Sequence, residues 1–228
     1  MLTLADIRQK VVDTVKDDSG KLANPEDFDR NIGAALNRYS VHRPSVLVAD
    51  IAGNGGHDYS LPSGWSEGFS LIKAVEYPAG NVPADYVDND EYEIYQSPTA
   101  RKLRFKADAP SVAETFRVSY TALRSYATIA AADIDAFVCL CAAFCCEELA
   151  TAFAQSGDSL VAADSVDYRD KTQRFASRAK RLMQLYKEHL GLKDDDVTPP
   201  ASATTDLDVG YPGGRDRLTH PRYLRERR

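Results

Sequence analysis

Histidine is scarce in this chain, with four in 228 residues: His42, His57, His189 and His220. None stands in an H-E-x-x-H, a Cys/His pair or a nucleophile elbow, so the common zinc and triad chemistries have no motif to start from. Cysteine is equally scarce and is not scattered. Cys139, Cys141, Cys145 and Cys146 fall within eight residues, whereas a disulfide framework spreads along a chain. Their C-x-C-x3-C-C spacing, with no histidine nearby, does not complete a tetrahedral zinc site. They are expected to be reduced thiols packed as small apolar side chains. No apolar run approaches the roughly 18–20 residues of a membrane span. The opening MLTLADIRQK lacks the basic and apolar regions of an export signal. The chain is therefore expected to fold in a cytoplasm, away from any membrane.

Signals for catalysis are equally thin. GNGGHDY at 53–59 comes nearest to a phosphate loop, but it lacks the G-K-[ST] ending and leads into a strand where a helix is needed. A simple turn is expected there. Glu147 and Glu148 are adjacent on a helix and diverge by about 100°, so they form no acid/base pair. Asp133 and Asp135 are expected to start a helix. No enzyme, catalytic residue, metal or cofactor is expected.

What is present is an ordinary globular composition, 43% hydrophobic and 27% charged, with a net charge of −6. Thr3 with Asp6 makes a capping-box signature, and Leu4, Ile7, Val11 and Val15 follow at helical spacing. Asn24 and Pro25 open a second helix with Phe28, Ile32, Ala35, Leu36 and Tyr39 facing inward. Short alternating stretches then take over: HDYSLP, FSLIKAVEYP, EYEIYQ, KLRFK and TFRVSYTAL, separated by turn formers. They predict an antiparallel module of about five strands with one face buried. QSPTAR reads as a hairpin loop. Phe116, Val118 and Tyr120 should face inward, opposite Arg117 and Ser119.

A helix over about 130–155 is apolar nearly all round, the mark of a helix buried on most sides. One over about 165–190 carries Tyr168, Thr172, Phe175, Ala179, Leu182, Tyr186 and Leu190 at spacings of three and four, a coiled-coil-like seam. The predicted fold is α+β. Residues 1–45 give the first helical pair of a four-helix bundle and residues 128–192 the second. Residues 46–127 form an antiparallel β-module inserted between helices two and three. Residues 193–228 form an extended C-terminal arm, too poor in apolar content to order alone.

That arm is polarised. Residues 193–210 hold one Lys against five Asp, and residues 211–228 hold six Arg against Asp216 and Glu226. The fourth helix is also cationic, and its Arg174, Arg178 and Arg181 are candidates for contact with an acidic neighbouring subunit. Trp65, the one tryptophan, reads as half-buried at a sheet edge, with partner docking as its alternative role. Sequence-specific duplex binding fits poorly with the overall negative charge, since each bound phosphate must be matched by a cation.

Three segments together resemble a known family. They are LTLADIRQKVVDTV with PEDFDRNIGAALNRYSVHRP; YSLPSGWSEGFSLIKAVEYPAGNVPADYV with RVSYTAL; and SVDYRDKTQRFASRAKRLMQLYKEHLG. The chain resembles the head–tail connector (adaptor, or neck) proteins of tailed bacteriophages over about residues 3–191. Many simpler connectors have little sheet, so the β-module is a departure. The resemblance implies a virion structural protein: a ring of copies, typically twelve, beneath the portal. Such a ring extends the DNA exit channel and docks the tail or the next neck protein. Double-stranded DNA would pass through the lumen without specific binding. In that setting the arm is expected to order against the portal. Arg215, Arg217, Arg222, Arg225, Arg227 and Arg228 would pair with acids there, with Tyr211 and Tyr223 as aromatic anchors. Trp65 is a candidate tail-docking residue. Other readings are a tail-completion or tail-terminator protein, and a nucleic-acid-binding regulator.

Overall fold

A computed structural model describes residues 2–155 and 168–192. In it the chain is α+β, with four helices and two small antiparallel sheets. The helices are α1 (Leu4–Val15), α2 (Pro25–His42), α3 (Ile134–Gln155) and α4 (Tyr168–Leu190). Between α2 and α3 run β1 (Ser45–Ala52), β2 (Asp58–Ser60), β3 (Ile72–Glu76), β4 (Tyr92–Gln96), β5 (Arg101–Phe105) and β6 (Thr115–Ala122). The segment 193–228 lies outside the described residues.

Local signals place the helices as expected. The Thr3 hydroxyl accepts from the Asp6 amide at 3.2 Å, and the Asp6 carboxylate accepts from the Thr3 amide at 2.9 Å, closing the capping box. Ile7, Val11 and Val15 are buried. Asn24 occupies the N-cap of α2 but its side chain makes no cap bond; Pro25 follows and needs no amide partner. Arg8 donates through two nitrogens to Asp29 at 2.7 and 2.6 Å and clips α1 to α2.

All four helices contribute to one core cluster, and α4 packs chiefly along α3. The seam of α4 is as read: Ala179, Leu182, Tyr186 and Leu190 are buried and Phe175 packs against the cluster. The side chain of Tyr168 lies outside the described residues. Cys141, Cys145 and Cys146 are buried free thiols and Cys139 is half-buried. Burial pushes the Cys145 thiol up to about 12, so these are packing groups rather than thiolate nucleophiles. One expectation is corrected here. The stretch Ala131–Gln155 is long and apolar enough, by length and composition, to cross a membrane. Of the apolar 18-residue window within it, 67% is buried in the protein itself, which is the position of a core helix.

The β region differs from the single five-stranded module expected. It has six strands in two sheets, ordered β1-β6-β3 and β2-β5-β4. The unexpected strand is β1, SVLVADIA, whose run Val46–Ala49 has no polar alternation to announce it. Tyr59, Tyr92, Leu103 and Phe105 from one sheet meet Val75, Phe116, Val118 and Tyr120 from the other in a second core cluster. Tyr59 is edge-on to Phe116 and Phe105, with ring centroids 4.7 and 5.6 Å apart. The hairpin between β4 and β5 is where it was read, and β6 alternates as expected.

The helical and sheet cores meet at a polar junction. Tyr39 of α2 donates to Asp133 Oδ2 at 2.7 Å, and His189 of α4 lies 2.9 Å from Asp133 Oδ1. His42 Nδ1 sits 2.7 Å from the buried Tyr186 hydroxyl. Burial opposes the Asp133 charge, but the bonds from Tyr39 and His189 prevail and hold its carboxyl below the usual range. Burial, with the charges of Arg38 and Lys187, lowers His42 from its ordinary 6.5. Protonation of His42 therefore favours the unfolded chain: its contribution is intact above about pH 6.5 and is lost as pH falls toward the folded value. Asp133 holds until pH drops below its ordinary 3.8. A melting series from about pH 7.5 to 5 should show Tm falling with acid, and His42→Gln should flatten that slope. Identical slopes in both proteins would refute the assignment.

Candidate interaction surfaces

The nearest approach to a phosphate loop is a pinned turn. Gly53 donates to the Glu114 carbonyl at 2.8 Å and Gly55 to the Pro110 carbonyl at 3.1 Å. Gly56 donates to the Asn54 side chain at 2.8 Å. With those amides engaged, the turn has no free cradle for an anion. Its first glycine is fixed by contact: a Cβ on Gly53 would lie 2.0 Å from the Ser111 carbonyl oxygen and 2.9 Å from that of Pro110.

Trp65 is half-buried and packs on the sheet core, its ring 6.1 Å from that of Tyr120. Its Nε1 is buried with no hydrogen-bond partner. Gly64 beside it lets the chain approach closely, since a Cβ there would come within 2.8 Å of the Tyr120 hydroxyl. The half-buried reading of Trp65 thus describes its place in the fold.

Arg174, Arg178 and Arg181 lie along one stripe of α4 at helical spacing. Arg178 is engaged within its own chain. Its guanidinium donates to the Val15 carbonyl at 3.0 Å and to the Thr14 carbonyl, satisfying the end of α1 where no helical partner remains. The sequence reading missed this role, which pairs residues more than 160 positions apart. Arg174 and Arg178 also border a groove of about 370 Å³ between the loop 16–19 after α1 and the helices α3 and α4, where Phe153 and Phe175 stack at 5.5 Å. Lys171 stands 5.5 Å from the Phe153 ring centre. Arg181 is exposed.

The outer face of the sheet β1-β6-β3 has a graded composition that the sequence did not announce. Three rows cross it. Asp50, Arg117 and Glu76 form one, with Arg117 bonded to Asp50 at 2.7 and 3.0 Å and to Glu76 at 3.3 Å. Val48, Ser119 and Ala74 form the next. Val46 and Thr121 form the third, and Leu71 extends it by pairing with Thr121 through its amide at 2.8 Å. Val46, Val48 and Leu71 are 53%, 58% and 56% exposed. The face therefore turns from ion-paired to bare apolar toward the junction with the helices.

The predicted arm contacts Tyr211, Arg215, Arg217, Arg222, Tyr223, Arg225, Arg227 and Arg228 lie outside the described residues. Among the described residues no group of three or more His, Cys, Asp and Glu is placed to hold a metal ion.

No protein-family model and no curated protein matches the chain. Among solved structures it is similar to a chain of the virion of a native gene transfer agent (GTA) particle. The identity is 14% and the TM-score 0.28, covering 76% of this chain and 88% of that one. It is also similar to a chain of the neck of an empty GTA particle computed with C6 symmetry, at 12% identity and a TM-score of 0.29, covering 74% and 87%. A third is a chain of the neck of a native GTA particle computed with C12 symmetry, at 11% and 0.27, covering 77% and 94%.

Three substitutions test these surfaces. Gly53→Ala should cost about 3 kcal/mol by urea denaturation, because the added methyl group meets backbone rather than a yielding side chain. Arg178→Ala should cost about 1.5–3 kcal/mol, the range for hydrogen bonds to a charged group, whereas Arg181→Ala should stay within about 0.5 kcal/mol. Equal effects at Arg178 and Arg181 would contradict the capping role.

Proposed function

We propose that the chain is a non-enzymatic structural subunit of a phage head–tail connector. Copies form a ring, twelve by the family resemblance, beneath a portal; the ring extends the DNA exit channel and docks the tail or the next neck protein. In this reading the four helices make one bundle from residues 1–45 and 128–192. Residues 46–127 are an inserted module and residues 193–228 an arm. The protein resides in the virion after synthesis in the host cytoplasm, and DNA passes through the lumen without specific binding.

The observation that carries the reading is the contrast within one chain. A folded body holds two closed cores. Beyond it, residues 211–228 put six Arg, with Tyr211 and Tyr223, into a stretch that has no apolar period of its own. A segment of that composition gains order only on another surface, and Arg forks suit carboxylates there. The resemblance of residues 3–191 to connectors supplies the portal as that surface. Arg174 and Arg181 remain candidates for contact with a neighbouring copy, alongside Arg178 in its capping role, and Trp65 is kept as a tail-docking residue only through the surface around it.

Deleting residues 205–228 should change folding stability by less than about 0.5 kcal/mol and abolish capture by the cognate portal. Raising salt should weaken capture of the intact protein, as screened Arg–carboxylate contacts require. Native portal affinity in the truncated protein would overturn the proposed role of the arm.

A further inference from the structure

Two stretches of the folded body are opposite in charge and equal in number. Residues 171–187, on α4, hold six Lys and Arg and no acid; residues 76–93, from the end of β3 into β4, hold six Asp and Glu and no cation. Part of each set is engaged within its own chain. Arg178 caps α1, Glu76 accepts from Arg117, and Glu93 pairs with Lys106 at 3.3 Å. Lys180 and Arg181 on one surface, and Asp88 and Glu91 on the other, have no side-chain partner among the described residues. Each surface also shows apolar groups to solvent. Leu185, one turn from Arg181, is 45% exposed, and Val82 and Tyr86 are 97% and 62% exposed. Apolar groups bordered by charge have the anatomy of a protein contact.

The two surfaces lie on opposite sides of the junction. The helix α4 reaches it with its C-terminal end, where His189 contacts Asp133 and Tyr186 contacts His42. Lys180 stands nine positions before His189, about 13 Å back along the bundle. The strand β1 leaves the junction the other way, and its Asp50, about 17 Å along, begins the row Asp50, Arg117, Glu76. Tyr86 bridges to Glu76. Asp88 and Glu91 follow, the Glu91 carbonyl accepting from the Lys106 amide at 2.7 Å. Within one copy the cationic face therefore belongs to the bundle and the acidic loop to the sheets, and the two do not meet.

We propose that the α4 face carrying Lys180, Arg181 and Leu185 docks on the loop 82–91 of a neighbouring copy. The two cations meet Asp88 and Glu91, and Leu185 is set against the exposed Val82 and Tyr86. Charge complementarity selects this partner, because the chain itself supplies the acidic surface that its own helix fits and cannot reach. A nucleic acid fits less well, since the chain as a whole carries a charge of −6. The two surfaces differ, so each copy uses its helix on one neighbour and keeps its loop for another. That is a head-to-tail contact, the class that closes a ring. The proposal rests on the connector reading for the ring and adds to it the counterpart of the α4 face.

The test is complementation between full-length variants of reversed charge. Lys180→Glu with Arg181→Glu turns the helix face acidic, and Asp88→Lys with Glu91→Lys turns the loop basic. Self-association is followed by sedimentation at low salt, with and without portal, and melting curves check that each variant folds. Each variant alone should associate about tenfold or more weakly than the natural chain, because like charges then face each other. A mixture of the two should regain association, and added salt should weaken it. A mixture no stronger than either variant alone overturns the proposal, and so does a natural chain that associates in neither condition. Loss of duplex-DNA retention in Lys180→Glu with Arg181→Glu, with self-association unchanged, also overturns it and gives the face to nucleic acid. Portal capture is measured in parallel. Capture without association strikes this contact and leaves the connector reading; association with complementation but no capture keeps the contact and removes the portal reading.

Discussion

The buried carboxylate of Asp133 is the constraint on which the rest of the structure turns. It stands at the entry to α3, accepts from Tyr39 near the end of α2, and meets His189 near the end of α4. Three helix ends are thus tied to one group that is 9% exposed. A charge so placed is tolerated only with its partners in position, because an uncompensated buried carboxylate costs several kcal/mol, on the order of 3–5 when one partner is removed. The network therefore fixes where the helices stop, and with them where the sheets begin and where the chain leaves α4.

Arg124 completes that junction from the sheet side. It follows β6, and its amide donates to Ser40 Oγ at 3.1 Å. Its guanidinium donates to the carbonyls of Arg43, Pro44 and Thr128. These are the turns leading into β1 and out of the sheets, so one side chain fastens both crossings between the two cores. Five donors in a fixed fork suit this bridging, which a single ammonium could not reproduce. The two cores share little apolar contact of their own, so their relation rests on polar groups with directional bonds.

The sequence made legible whatever is set by local spacing. The Thr3–Asp6 cap, the α4 seam, the β4–β5 hairpin and the alternation of β6 all follow from residues within a few positions of one another. The junction was not legible, because Asp133 and Tyr39 are 94 positions apart and Asp133 and His189 are 56. From local pattern Asp133 reads only as a helix start. Gly53 looks like a loose turn until the Ser111 carbonyl is seen against it. The strand β1 was hidden for a different reason. A strand with one wet face normally alternates, and β1 shows apolar residues on both faces, so its pattern matched neither a half-buried strand nor a helix.

That failure of pattern is informative about the surface itself. A strand that puts valine where solvent contact calls for polar residues breaks a local rule without gaining anything inside its own fold. The inner residues Ala49 and Ile51 of β1 meet the core opposite Val118 and Phe116, while Leu47, opposite Tyr120, is 39% exposed. Val46 and Val48 add nothing to that cluster. At the far end of the same strand the rule is kept, with Asp50 bonded to Arg117. The apolar character is confined to the half of β1 nearest the junction, the half nearest the point where the chain leaves α4. The same polar junction that fixes the fold thus leads directly into the bare half of the edge, since Ser45 follows His42 by three residues.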